Sequence, residues 1–176
     1  MSLSGIRDIS VLEEAPFNRR AVQTYVLGYD EQIIIQACMR EISRGGQIFY
    51  LYNKTSDIDK VADNLAKSMP GIRVGYAHGQ MPENGLENIV NDFMEKKYDI
   101  LVCTTIIENG VDMPNVNTLI VENADRFGLS QLYQIKGRVG RSDRQAYAYI
   151  TYNGDAVLNE DATKRLNALR EFTELG

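Results

Sequence analysis

Asp99-Ile100-Leu101-Val102-Cys103-Thr104-Thr105 is a short apolar run that opens on a carboxylate and closes on two hydroxyls. The run is short and bounded by polar residues, so Asp99–Cys103 reads as a strand covered on both faces. Working outward, further runs of this kind stand at Val22–Val26, Gln47–Tyr52, Arg73–Ala77, Asn117–Val121 and Ala146–Thr151. Between them lie stretches of helical period: Glu31–Arg44, Ser56–Ser68, Glu83–Lys96, Ser130–Val139 and, last, Asp161–Leu175. Alternation of buried strands with amphipathic helices predicts an α/β domain, a mostly parallel central sheet flanked by helices. Ser56, followed three residues later by Asp59, reads as a variant capping box, and Pro70-Gly71 as the stop of that helix. Leu86, Ile89 and Phe93 share one face of the next.

The 176 residues, 44% hydrophobic and 24% charged, suit one globular domain and argue against extended disorder. No apolar run is long enough to span a bilayer and no basic-then-apolar leader opens the chain, so a cytoplasmic location is expected. Cys38 and Cys103 are too few for a disulfide framework, and with His78 as the single histidine no structural zinc site of ordinary spacing is expected. A net charge of −5 disfavours a sequence-independent polyanion binder, but not contact with nucleic acid along one small patch. Residues 1–18 show no clear period and are read as an N-terminal extension, of which 1–3 resemble an expression leader. The domain proper is expected over 19–155, and a C-terminal helix over 156–176.

In an open α/β sheet, ligands bind in the crevice outside the carboxyl ends of the strands. Here those ends read Tyr52-Asn53-Lys54-Thr55-Ser56, His78-Gly79-Gln80 and Thr104-Thr105. Free backbone N–H groups at such turns can cradle successive phosphates. The same residues serve equally well as ordinary helix caps. His78, with no second histidine and no nucleophile near it, reads first as a hydrogen-bonded turn residue rather than an acid–base catalyst. Cys103 reads as a small buried apolar residue. Thr118–Glu122 looks like a strand carrying a metal-facing carboxylate, yet no phosphate loop of the form GxxxxGK[ST] accompanies it anywhere in the chain.

Gln134-Ile135-Lys136-Gly137-Arg138-Val139-Gly140-Arg141 is the most informative segment for function. On a helix, Gln134, Arg138 and Arg141 share one face, while Leu132, Ile135 and Val139 define another that can dock on the sheet. Two guanidinium groups on one element suit bidentate contact with phosphoryl oxygens; a solvated basic face is the bland alternative. Gly137 and Gly140 weaken a helix and suggest close approach of something to its backbone. Upstream, Gly110 can take positive φ beside a ligand, and Asp112 offers a carboxylate to ribose hydroxyls.

Together these segments resemble the second RecA-like lobe of superfamily 2 helicases and translocases. Tyr50-Leu51-Tyr52-Asn53 looks like motif IV, Thr104 to Pro114 like motif V, and the QxxGRxGR spacing from Gln134 to Arg141, followed by Ser142, like motif VI. Gly45-Gly46-Gln47, Ala77 to Met81, Val102 to Glu108 and Ala124 to Leu129 are similar to the branch that couples transcription to repair. Replication-fork translocases are next. The resemblance implies a RecA-like three-layer fold and a role as one half of an ATP-driven double-stranded DNA translocase. Arg141 and Arg138 would act as arginine fingers on the γ-phosphate of ATP, held with Mg²⁺ by a first lobe, and Gln134 would couple to the same nucleotide. Gly110 and Asp112 would lie at the ATP ribose and phosphate edge. Asn53, His78, Gly79, Thr104 and Thr105 would line the DNA phosphate track.

The implied partners are the first RecA-like lobe of a longer bacterial parent, double-stranded DNA and, through other domains, RNA polymerase and excision-repair proteins. Lys136 stands where relatives often have Arg, and Asn109 where they often have Thr. The phosphate loop and Asp-Glu metal box of a first lobe are missing, so the lobe alone is expected to be inactive. The chain also stops at Leu175-Gly176, where relatives continue into a helical hairpin. A competing reading is a nucleic-acid-binding module without any ATPase role, which has no need of arginines aligned with Gln134. A metabolic nucleotide enzyme is disfavoured by the lack of a phosphate loop or a GxGxxG turn.

Overall fold

The computed structural model describes residues 22–104, 113–137, 139, 144–153, 160–161, 163–164 and 167–168. The expected extension over 1–18 and most of the last expected helix lie outside the described residues.

In chain order the elements are β1 (Gln23–Gly28), α1 (Glu31–Ser43), β2 (Gln47–Leu51), α2 (Ile58–Ser68), β3 (Val74–Ala77) and α3 (Glu83–Met94). There follow β4 (Ile100–Cys103), β5 (Val116–Val121), a 3-10 turn (Ala124–Arg126), α4 (Leu129–Lys136) and β6 (Tyr147–Tyr152). The six strands form one sheet in the order β1-β6-β5-β2-β4-β3, and every pair is parallel. The α/β fold expected from the alternating runs is therefore the observed one, with strand ends differing by a residue or two.

The connections explain the layers. Crossovers in parallel sheets are right-handed, so those running one way along the sheet lie on one face and those running back lie on the other. The α1 and α2 crossovers run toward β3, and both helices pack on one face. There Ile34, Ala37, Ile58, Ala62 and Leu65 meet Ile48, Tyr50, Ile100, Val102 and Ile120. The α3 and α4 crossovers run back, and Phe93, Leu132 and Ile135 meet Phe49, Leu51, Leu101, Leu119 and Val121 on the opposite face. The strand residues alternate between the two cores as the pleat requires. β2, β4 and β5 are buried throughout, which is why they read as unbroken apolar runs.

Two local expectations change. α2 begins at Ile58 with Asp57 as its N-cap residue, without a side-chain cap bond, so Ser56 is not the cap. The Asp57 carboxylate is drawn aside instead, where its Oδ2 accepts the Tyr52 hydroxyl at 3.0 Å. α4 closes at Lys136, short of Val139. Gly137 caps it in a right-handed conformation, φ −69, with its N–H donating to Tyr133 O at 2.9 Å.

The amino end of the sheet is tied together by hydrogen-bonded side chains. Gln47 Nε2 donates to Phe93 O and Tyr98 O at 2.6 and 2.8 Å, and its Oε1 accepts from Asn115 Nδ2 at 3.1 Å. The buried Glu41 carboxylate takes the Thr118 hydroxyl at 2.6 Å and Arg44 Nη2 at 2.5 Å through Oε1. Chemistry with a ligand belongs at the other end.

Candidate functional site

At the carboxyl end, the register aligns Val121 with Leu51, Leu51 with Cys103, and Cys103 with Ala77. The residues that follow therefore emerge side by side on neighbouring strands: Glu122, Tyr52, Thr104 and His78. The ladder runs on by one more rung, since Tyr52 N–H donates to Cys103 O at 2.9 Å and Glu122 N–H to Leu51 O at 3.0 Å. Asn53, Thr104, His78 and Gly79, expected on one phosphate track, are thus brought to one edge of β2, β4 and β3. Asn53, Thr104 and His78 are half-buried and Gly79 is exposed. Thr105, the remaining residue of that group, lies outside the described residues.

His78 behaves as a turn residue. Its Nδ1 accepts the Gln80 N–H at 3.3 Å and its carbonyl accepts the Met81 N–H at 3.1 Å, while its ring stacks on Tyr76 with centroids 6.5 Å apart. With Nδ1 accepting, the neutral ring carries its proton on Nε2, a donor suited to an anionic oxygen.

On the element expected to face the nucleotide, the N-cap of α4 is Gly128, whose N–H donates to Gln131 Oε1 at 3.0 Å. Leu132, Ile135 and Val139 are buried, as the periodicity predicts for a docked face. Gln134 is exposed and its amide has no partner among the described residues. Of the face expected for Gln134, Arg138 and Arg141, Gln134 lies on α4, which ends at Lys136. Gly137 takes a right-handed φ that suits any residue, and a Cβ there would meet Tyr133 O at 3.4 Å. Arg138, Arg141, Gly110 and Asp112 lie outside the described residues. Burial pushes the Lys136 amine below its usual range.

Two features escaped the sequence reading. The first is the Glu122 carboxylate, which accepts the Tyr50 hydroxyl. Burial pushes its carboxyl above the ordinary glutamate range, the Tyr50 bond pulls it back, and Asp57 adds to the rise. The Tyr52 hydroxyl beside it is pushed up to about 12, by burial first and then by its bond to Asp57. The second is Asn123, which bridges the ends of β5 and β2 through Asn53. Its signal was an asparagine two residues past a strand, a residue type that tolerates left-handed backbone.

Among the described residues no group of three His, Cys, Asp or Glu side chains could hold a metal ion. A groove of about 720 Å³ between β1 and α1, lined by Tyr25, Ile33, Arg40 and Tyr149 among others, contains none of the expected site residues. No helix among the described residues is long and apolar enough to cross a membrane.

Residues 31–143 match the family model of the helicase conserved C-terminal domain. The chain is 57% identical over 176 residues to the transcription-repair-coupling factor of Bacillus subtilis (strain 168), covering all of this chain and 15% of that protein. It is 56% identical over the same span to the transcription-repair-coupling factor of Staphylococcus epidermidis, again covering 15% of that protein. Among solved structures it is similar to RecG bound to a three-way DNA junction, with a TM-score of 0.75 and 32% identity over 91% of this chain and 22% of that one. The C-terminal domain of the DEAD-box protein Dbp5 shares the fold, with a TM-score of 0.62 and 17% identity over 86% of this chain and 85% of that one.

Proposed function

We propose, since the chain belongs to the family of helicase conserved C-terminal domains, that it is the second motor lobe of an ATP-dependent double-stranded DNA translocase in transcription-coupled repair. The observation that carries this is the meeting of Asn53, Thr104 and His78 at the ends of adjacent strands, in a chain that matches the coupling factors along its whole length. Hydroxyl, amide and imidazole donors spaced along a sheet edge suit successive phosphates of one DNA strand. Such contacts position the protein without reading sequence, which is what a motor moving over any DNA requires.

The nucleotide side is shared with a first lobe elsewhere in the parent. That lobe would hold ATP and Mg²⁺, which neutralises charge on the phosphates. This chain would supply Arg141 and Arg138 to the γ-phosphate, Gln134 to the same nucleotide, and Gly110 with Asp112 at the ribose edge. Guanidinium groups delivered from a second lobe make turnover depend on closure of the two lobes. RNA polymerase and excision-repair proteins would be engaged through other parts of the parent. The RecG likeness favours a second reading, a replication-fork translocase lobe, which the higher whole-chain identity to coupling factors outweighs.

The test is made in the full-length parent carrying Asn53→Ala, His78→Ala and Thr104→Ala together. The DNA concentration for half-maximal ATPase should rise while maximal turnover is retained, and release of stalled RNA polymerase should weaken in parallel. Unchanged DNA dependence rejects the track. A motor that remodels branched DNA but leaves stalled polymerase in place favours the second reading.

A further inference from the structure

The side-chain amide of Asn53 is held from one side. Asn123 Nδ2 donates to Asn53 Oδ1 at 3.1 Å. Asn123 sits in left-handed backbone, φ 57, two residues past the end of β5. Its neighbour Glu122 is tied to β2 through the N–H bond to Leu51 O, so both amides hang from one paired ladder. An asparagine amide has an acceptor end and a donor end, and its partner decides which way each points. Because Asn123 offers an N–H, the Asn53 oxygen turns inward and the Asn53 amino group turns away. No acceptor among the described residues takes that amino group.

We propose that Asn123 is a positioning residue for DNA: it locks Asn53 with its donor end toward a backbone phosphate. With the amide reversed, Asn53 would meet the phosphate with its carbonyl oxygen and repel it. This rests on the reading of Asn53 as part of the phosphate track; Asn123 itself touches no DNA.

The experiment is a double-mutant cycle on the full chain, read as affinity for a short random-sequence duplex at low salt, beside thermal melting. Asn123→Gly removes the amide while keeping positive φ without strain. Asn53→Ala and Asn123→Gly should each weaken binding roughly tenfold, the worth of about one hydrogen bond to a charged group. The double variant should bind no more weakly than Asn53→Ala alone. Asn123→Asp tolerates the same backbone and reverses the polarity. It should weaken binding more in the wild-type background than in Asn53→Ala, where only its added charge acts. Additive losses, or an Asn123→Asp effect equal in both backgrounds, overturn the positioning role. If Asn53→Ala itself binds normally, the track reading of Asn53 fails and the proposal falls with it.

Discussion

A Cβ built on Gly46 would lie 2.0 Å from Glu41 Oε2, closer than any real contact allows. Glu41 cannot give way, because its side chain is fully buried and its other oxygen is held by Thr118 and Arg44. Gly46→Ala should therefore destabilise the chain by about 2–4 kcal/mol, through overpacking and a disturbed buried ion pair. Chemical denaturation measures it. Adding Gly46→Ala to Glu41→Ala should cost little more than Glu41→Ala alone; strict additivity would show that the two do not compete for one space.

Glu122 is the opposite case, a carboxylate the fold holds at a disadvantage. Burial raises its folded pKa above the unfolded 4.5, so the folded state binds the extra proton. Stability from this group is therefore lost as pH rises from the unfolded pKa through the folded one. Glu122→Gln keeps an acceptor for the Tyr50 hydroxyl and removes the charge. Its melting temperature should exceed that of the wild type at neutral pH and match it near pH 4. Equal melting at both pH values would show that Glu122 ionises as freely as in the unfolded chain.

The strands were legible because burial on both faces leaves an unmistakable apolar run, as in β4. Side chains that emerge together were legible only as separate polar turns. Thr104 and His78 stand side by side because β4 returns to lie between β2 and β3, a matter of crossover order and not of local pattern. The Asn123–Asn53 bond spans 70 residues and leaves no local trace. The end of α4 was misjudged because Gly137 can either interrupt a helix or close it. In the structure Gly137 stands as the C-cap and the helix closes at Lys136.

Both thiols should be inert in the folded chain. Burial pushes the Cys38 thiol up to about 12 and that of Cys103 well above its ordinary value, and neither side chain is exposed. Alkylation acts through the thiolate, so neither should label at pH 8 until denaturant opens the sheet. Rapid labelling of Cys103 under native conditions would mean that β4 is not central.

DNA binding by this chain alone should be weak and sensitive to salt. The net charge of −5 opposes it, and the proposed track rests on a few donors around Asn53, His78 and Thr104. The slope of log affinity against log salt is about −0.9 per phosphate neutralised, so affinity should fall with salt along a line whose slope reports the few phosphates engaged. A tight complex that ignores salt would instead point to contacts with the bases.

Arg141→Ala, made in the full-length parent, bears on the half-motor reading most directly. The folding role of this region rests on Leu132, Ile135 and Val139, all buried, so removing a guanidinium further along the chain should leave melting nearly unchanged. Arginine fingers in phosphoryl transfer contribute roughly 10³–10⁵ in rate. Arg141→Ala should accordingly abolish DNA-stimulated ATPase while DNA affinity changes little. Arg141→Lys should recover little, since an ammonium lacks the planar fork that grips two phosphoryl oxygens. The 176-residue chain by itself, with no phosphate loop in its sequence, should hydrolyse no ATP even with saturating DNA. Retained turnover in Arg141→Ala removes the finger assignment. Turnover lost together with a lowered melting temperature would instead give Arg141 a role in holding the lobe folded.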